Sequence, residues 1–236
     1  MRYLKSAFDP VKVLTTHPGD EQARANGVSV RPCITEVIET ESCEEQIRYR
    51  FAKKGEIPNS FAVYVDFTTK LEQKSVCVAD FFDPKAAQSL AKIISSDGAL
   101  PMGISPLMNM SEHQSRQDSI RTLLSSGFEG VAVAQGIELE PGYHEIYEAD
   151  SMKQGVKSVI CGPDESPEFF SVFIKADGHY IDCVADMPNP ESARALATLM
   201  SREGRIPVIS DNLTVCPEET SLRRTKPKTT AKAPSM

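Results

Sequence analysis

The sequence predicts an α+β fold made by tandem duplication of a unit of about one hundred residues, an ordinary small-domain size. Each unit reads as an antiparallel β-meander followed by an amphipathic helix and a short extended segment. Three observations carry this. Residues 77–101 match 183–207 with eleven identities in 25 positions, where ordinary residue usage gives ~1 in 16 by chance. Upstream, 36–42 match 145–151, and Gly27, Pro32, Pro58, Phe61 and Val63 match Gly136, Pro141, Pro167, Phe170 and Val172. The frame shifts by three residues within 68–74, which reads as a hairpin tip, where length changes are tolerated. Third, Asp83-Pro84 and Asn189-Pro190 each pair an N-cap residue with Pro at the first helical position.

These matches set the expected units at 1–109 and 110–216, with a basic disordered tail at 217–236. Within a unit the elements follow in order. An opening helix is expected at 117–126, ended by Gly127, with a weaker counterpart at 9–16. Strands are expected at 34–41 and 144–149, then at 46–52 and 156–161. The next pair is 61–67 and 170–176. In the first of these Phe61, Val63, Val65 and Phe67 alternate onto one face. Strands 75–81 and 180–187 close the meander, with Asp177-Gly178 as a tight turn before the latter. The helix shows Ala87, Leu90, Ala91 and Ile94 at helical spacing, matched by Ala193, Leu196, Ala197 and Met200. Such a small-residue face lets a helix lie close to a sheet. Gly98 and Gly204 are expected in the left-handed conformation that ends a helix. Extended pieces at 100–104 and 206–209 complete the units.

Charge narrows the function. The net charge is −7, from 26 Lys and Arg against 33 Asp and Glu. From Thr220 onward the chain holds Arg223, Arg224, Lys226, Lys228 and Lys232 and no acid, so the body carries −12. A body that acidic repels phosphates, which makes nucleic acid an unlikely partner for it. The tail alone is open to nucleic acid or to an acidic partner. Double-stranded-RNA-binding modules share a strand-strand-strand-helix succession, but they need lysines at the helix start. Here Asp83 and Lys85 open one helix, and Asn189 and Glu191 the other. No stretch is apolar enough for a membrane span or a signal peptide. The cysteines (Cys33, Cys43, Cys77, Cys161, Cys183, Cys216) form no CxxC pair, and the histidines (His17, His113, His144, His179) are scattered. Reduced thiols in a cytoplasmic protein follow, with no metal and no cofactor.

The polar residues alike in both copies are the candidates for function. Glu36, Glu39 and Glu41, matched by Glu145, Glu148 and Asp150, suggest an acidic protein-binding surface or a charged edge strand. Tyr64 and Phe173 lie opposite the main apolar stripe of their strands and are read as partner anchors. Asp80 and Asp186 precede the two helices and suggest turn or capping roles; as a pair of carboxylates they also suit acid–base work. Cys77 and Cys183 sit in Val/Ala-rich strands beside those aspartates, a setting that raises a thiol pKa and opposes nucleophilic use. His144, with Asp177 and His179, offers only a loose catalytic pairing. No residue is assigned a catalytic role. The leading expectation is a non-enzymatic interaction module: an inhibitor, adaptor or accessory protein that binds another protein. The alternatives are a small enzyme using Asp80 and Asp186 in the groove between the units, and a nucleic-acid-associated protein acting through its tail.

Overall fold

The computed structural model describes residues 9–20, 22–39, 45–69, 72–105, 115–125, 134–148, 154–162, 164–176 and 179–213. The basic tail and the Asp177-Gly178 turn lie outside them.

Among the described residues fourteen elements follow one another: α1 (Pro10–Leu14), β1 (Arg24–Glu39), β2 (Glu45–Phe51), β3 (Ser60–Thr68), β4 (Gln73–Phe81), α2 (Pro84–Gly98), β5 (Met102–Ile104), α3 (Arg116–Leu124), β6 (Gly136–Glu148), β7 (Gln154–Ile160), β8 (Phe169–Ala176), β9 (His179–Met187), α4 (Pro190–Gly204) and β10 (Val208–Asp211). All ten strands belong to one sheet, along the path β10-β6-β8-β9-β4-β3-β1-β2, with β5 beside β1 and β7 beside β6. Among the described residues only the β1–β5 and β6–β10 pairings are parallel.

This architecture corrects the expected α+β class. The protein is mostly antiparallel β, and its eight-strand path curls into a nearly closed, barrel-like sheet rather than into two meander-plus-helix units. Two features account for the difference. First, β4 and β9 pair at Asp80 and Asp186, so the strands of both halves share one sheet. Second, β1 and β6 run far longer than expected. At 16 and 13 residues they reach about 50 and 40 Å at a strand's ordinary rise per residue. Each serves two partners in turn. The first part of β1 pairs with β3 as far as Cys33, and the rest pairs with β2 from Cys33 onward. In the same way β6 passes from β8 to β7 at Gly142. Pro32 and Pro141, which argue against a strand when read locally, sit beside these changes of partner, where a missing N–H is tolerated.

α2 and α4 lie on one face of the sheet, while α1 packs against α4 and α3 against α2. Val63, Val65 and Phe67 of β3 share a single buried cluster with Leu90, Ala91 and Ile94 of α2 and with Ala193, Leu196, Ala197 and Met200 of α4. Asp83 and Asn189 cap their helices, accepting from the backbone N–H of Lys85 at 2.9 Å and of Ser192 at 2.8 Å. The helix C-termini differ from expectation. The left-handed residues are Ala99 (φ 48°) and Arg205 (φ 58°), one place beyond the glycines. Gly204 is small for another reason: a Cβ there would run into Leu124 of α3. No helix among the described residues is long and apolar enough to cross a membrane.

Candidate functional site

The face of the sheet away from the helices is set by alternation. Along β3, Val63, Val65 and Phe67 enter the core, so Ser60, Ala62, Tyr64 and Asp66 point the other way. Ala62 pairs with Asp80 on β4, Asp80 with Asp186 on β9, and Asp186 with Ser171 on β8. Two carboxyl groups therefore face each other across the strand pair at the middle of the sheet. They are not helix caps, since Asp83 and Asn189 fill those positions.

Their surroundings differ. Asp186 Oδ1 accepts from the Ser171 hydroxyl at 2.5 Å and from the Cys183 thiol at 3.3 Å. Asp80 Oδ1 is buried with no hydrogen-bond partner, and so is the neighbouring Ser60 Oγ. Burial pushes the Asp80 carboxyl up to about 6; the Ser60 hydroxyl nearby pulls it down, and the negative charge of Asp186 adds to the rise. Burial also raises Asp186, against the pull of Ser171, Cys183 and His144. Like charges facing each other in low dielectric disfavour double ionisation.

His144 arrives from β6. Its Nδ1 lies 2.8 Å from the Tyr49 hydroxyl of β2 and 3.3 Å from Glu168 Oε2. Tyr49 donates to a bare Nδ1; in the other tautomer the Nδ1–H donates to Glu168. Burial first, then Glu168, Asp80 and Asp186, raise the tyrosine pKa and keep that hydroxyl protonated. The imidazole also packs on Phe169, with ring centres 4.5 Å apart. Gly142 makes room for that ring, because a Cβ there would overlap it. The Tyr49–His144 contact joins the β1–β2 arm to the β6 strand, where the barrel-like sheet would otherwise gape.

Beneath this contact lies a cavity of about 660 Å³. Its floor holds Asp80, Asp186 and Ser60, its apolar walls are Val37, Phe81 and Val156, and Phe82 and Tyr147 stand partly exposed at its rim. Thr35, Asn59 and Ser158 add neutral polar groups. The volume falls within the range of small-molecule sites. No family model, curated protein or solved structure matches this chain.

The other candidates are placed as follows. Glu36 borders the cavity but is clamped by arginines. It accepts from Arg48 Nε at 2.9 Å and Arg50 Nε at 3.0 Å, and Arg50 goes on to Glu56 at 2.7 Å. Arg50, then Arg48, hold the Glu36 carboxyl below its usual range. Glu145 pairs with Lys157 at 2.9 Å. Glu39 and Glu148 end β1 and β6; their side chains, and Glu41 and Asp150 entirely, lie outside the described residues. Tyr64 supports the Arg31 guanidinium, 4.7 Å from its ring centre, and meets Phe51 edge-on. Phe173 is half-buried opposite Glu138 and Cys183. Cys77, beside Asp80, is pushed up to about 12, by burial first and by Asp80 second. Among the described residues no three His, Cys, Asp or Glu side chains converge as a metal site.

Local reading missed Tyr49, Ser60, Ser171 and Glu168; its pairing of His144 with Asp177 and His179 falls on side chains that lie outside the described residues. One signal for the floor was present: Cys77-Val78-Ala79-Asp80 recurs as Cys183-Val184-Ala185-Asp186. Strand alternation places the last residue of each on the face opposite the buried Ala79 and Ala185.

Proposed function

We propose that the protein binds a small molecule in the cavity between its two strand arms, with Asp80 and Asp186 as the polar floor. One observation carries this reading: a roomy cavity is lined by two aspartates that face each other across a strand pair, one of which also holds a buried oxygen without a partner. Buried polar groups are normally hydrogen-bonded, and the exceptions mark function more often than chance. Binding is favoured over catalysis because no activated nucleophile stands there. The Cys77 thiol is held protonated by burial and by the charge of Asp80. The cavity is also favoured over an acidic docking surface. Glu36 and Glu145 already hold Arg48, Arg50 and Lys157, which weakens the negative field of those strands. A cytoplasmic setting belongs to the same proposal, supported by Cys33, Cys77, Cys161 and Cys183 forming no disulfide among the described residues.

Fragment screening by NMR on the full chain tests the reading. Hits should shift the backbone amides of Ser60, Asp80 and Asp186, and Ser158→Trp, which fills the cavity from β7, should abolish those shifts. Hits that map elsewhere, or that survive Ser158→Trp unchanged, would remove the proposal.

A further inference from the structure

Building on that cavity reading, we propose that the ligand is a compact organic amine, held by its N–H groups between Asp80 and Asp186. The class comprises primary and secondary ammonium ions and guanidinium, on an aliphatic or aromatic body.

Charge selects a cation. Directly opposed residues of an antiparallel pair hold their Cβ atoms about 4.5–5.5 Å apart. The two carboxyls therefore repel, and the described lining contains no Lys or Arg to offset them. An anionic ligand would add to that repulsion, and a neutral one would leave it in place.

Hydrogen bonding selects an N–H. Asp80 and Asp186 both line the cavity, and an ionised carboxylate offers only acceptors, so the ligand must bring the donors. A quaternary ammonium has no N–H to give. A metal ion is disfavoured as well, because among the described residues no third ligand joins the two aspartates.

Shape selects the body. Phe82 and Tyr147 offer aromatic faces to a cation, and Val37 and Val156 offer apolar contact to its carbon skeleton. Arg31, already stacked on Tyr64 and Phe51, shows that this sheet face accepts a guanidinium over aromatic rings.

Binding should strengthen with pH. Asp80 is faced by Asp186 from β9, Cys77 from its own strand, Cys33 from β1, Tyr64 from β3 and Tyr49 from β2. Asp186 is faced by Ser171, Cys183 and His144. Burial holds the two thiols and the two phenols above their ordinary values. The floor therefore gains negative charge as the aspartates ionise, and that change favours the amine.

The test is NMR titration of the full chain with n-butylamine, n-butylguanidine, n-butanol, butyrate and tetramethylammonium. The two N–H cations should shift the Ser60, Asp80 and Asp186 amides saturably, at least about tenfold more tightly than the other three. Their binding should weaken between pH 7.5 and pH 5. Asp186→Asn should weaken butylamine about tenfold with the rest of the spectrum unchanged. Ser158→Arg, which supplies an internal guanidinium, should block it. Butanol, butyrate or tetramethylammonium binding the cavity as tightly as butylamine would overturn the amine assignment and leave the cavity reading standing. If no compound moved any cavity resonance, both would fall.

Discussion

Asp80 and Asp186 occupy matching places on β4 and β9 and face each other, yet the chain treats them differently. Asp186 has two donors, Ser171 and Cys183. Asp80 has a buried oxygen with none. The strand arms beyond them differ too. The β1–β2 arm is tied by the Arg48–Glu36–Arg50–Glu56 chain of ion pairs, whereas the described residues of the β6–β7 arm show the exposed Glu145–Lys157 pair and the aromatic stack of His144 on Phe169. Similar backbones have been given one satisfied side and one unsatisfied side. The unsatisfied side is where a ligand gains most.

The largest effect should come from Asp80. Its folded pKa of about 6 lies above its ordinary 3.8, so the folded state binds the extra proton between those values. The stability this proton confers is complete below pH ~4 and is lost as pH rises through about 6, roughly 3 kcal/mol in all. Asp80→Asn should therefore match wild type near pH 4 and exceed it by up to about 3 kcal/mol at pH 7.5 in urea unfolding. A difference that does not change with pH would break the contrast between the two aspartates.

Next, Gly142→Ala should cost about 2 kcal/mol, because the new methyl pushes on Phe169. The displaced ring should also loosen the Tyr49–His144 contact, seen as a change in the His144 ring signals. Third, the serines sharpen the comparison directly. Ser171→Ala removes a hydrogen bond to a carboxylate and should cost about 1.5 kcal/mol at pH 7.5, raising the Asp186 pKa as it does so. Ser60→Ala, whose hydroxyl has no partner, should cost less than about 0.5 kcal/mol. Equal costs at the two sites would mean the two sides are not different. Effects below that of Ser171→Ala, and of opposite sign, lie at the helix ends. Ala99→Gly and Arg205→Gly relieve a left-handed residue and should each gain about 0.5–1 kcal/mol in thermal or urea unfolding.

Much of the local structure was legible in the sequence. Phe61, Val63, Val65 and Phe67 declared a strand by alternation, and Asp83-Pro84 and Asn189-Pro190 declared two helix starts. The class was not legible, because it depends on where long strands change partners. Gly27, Pro32, Gly136 and Pro141 read locally as breaks, yet they lie inside β1 and β6. The site was legible only in part. Asp80 meets Asp186 through one register pair between distant strands, and Tyr49 meets His144 across 95 residues of sequence; no local spacing encodes either contact. The clamping of Glu36 was within reach, since counting back along the β1–β2 hairpin sets it opposite Arg48.

The central claim is that Asp80, facing a satisfied Asp186, is the unsatisfied side of the cavity floor. Carbon-detected NMR titration of the aspartate side-chain carboxyls in the full chain tests it most directly. The account predicts one carboxyl titrating near pH 6, assigned to Asp80 by its disappearance in Asp80→Asn, and returning toward the ordinary range when butylamine is bound. Asp80 and Asp186 both titrating below about pH 4.5, near the ordinary aspartate value, would contradict it.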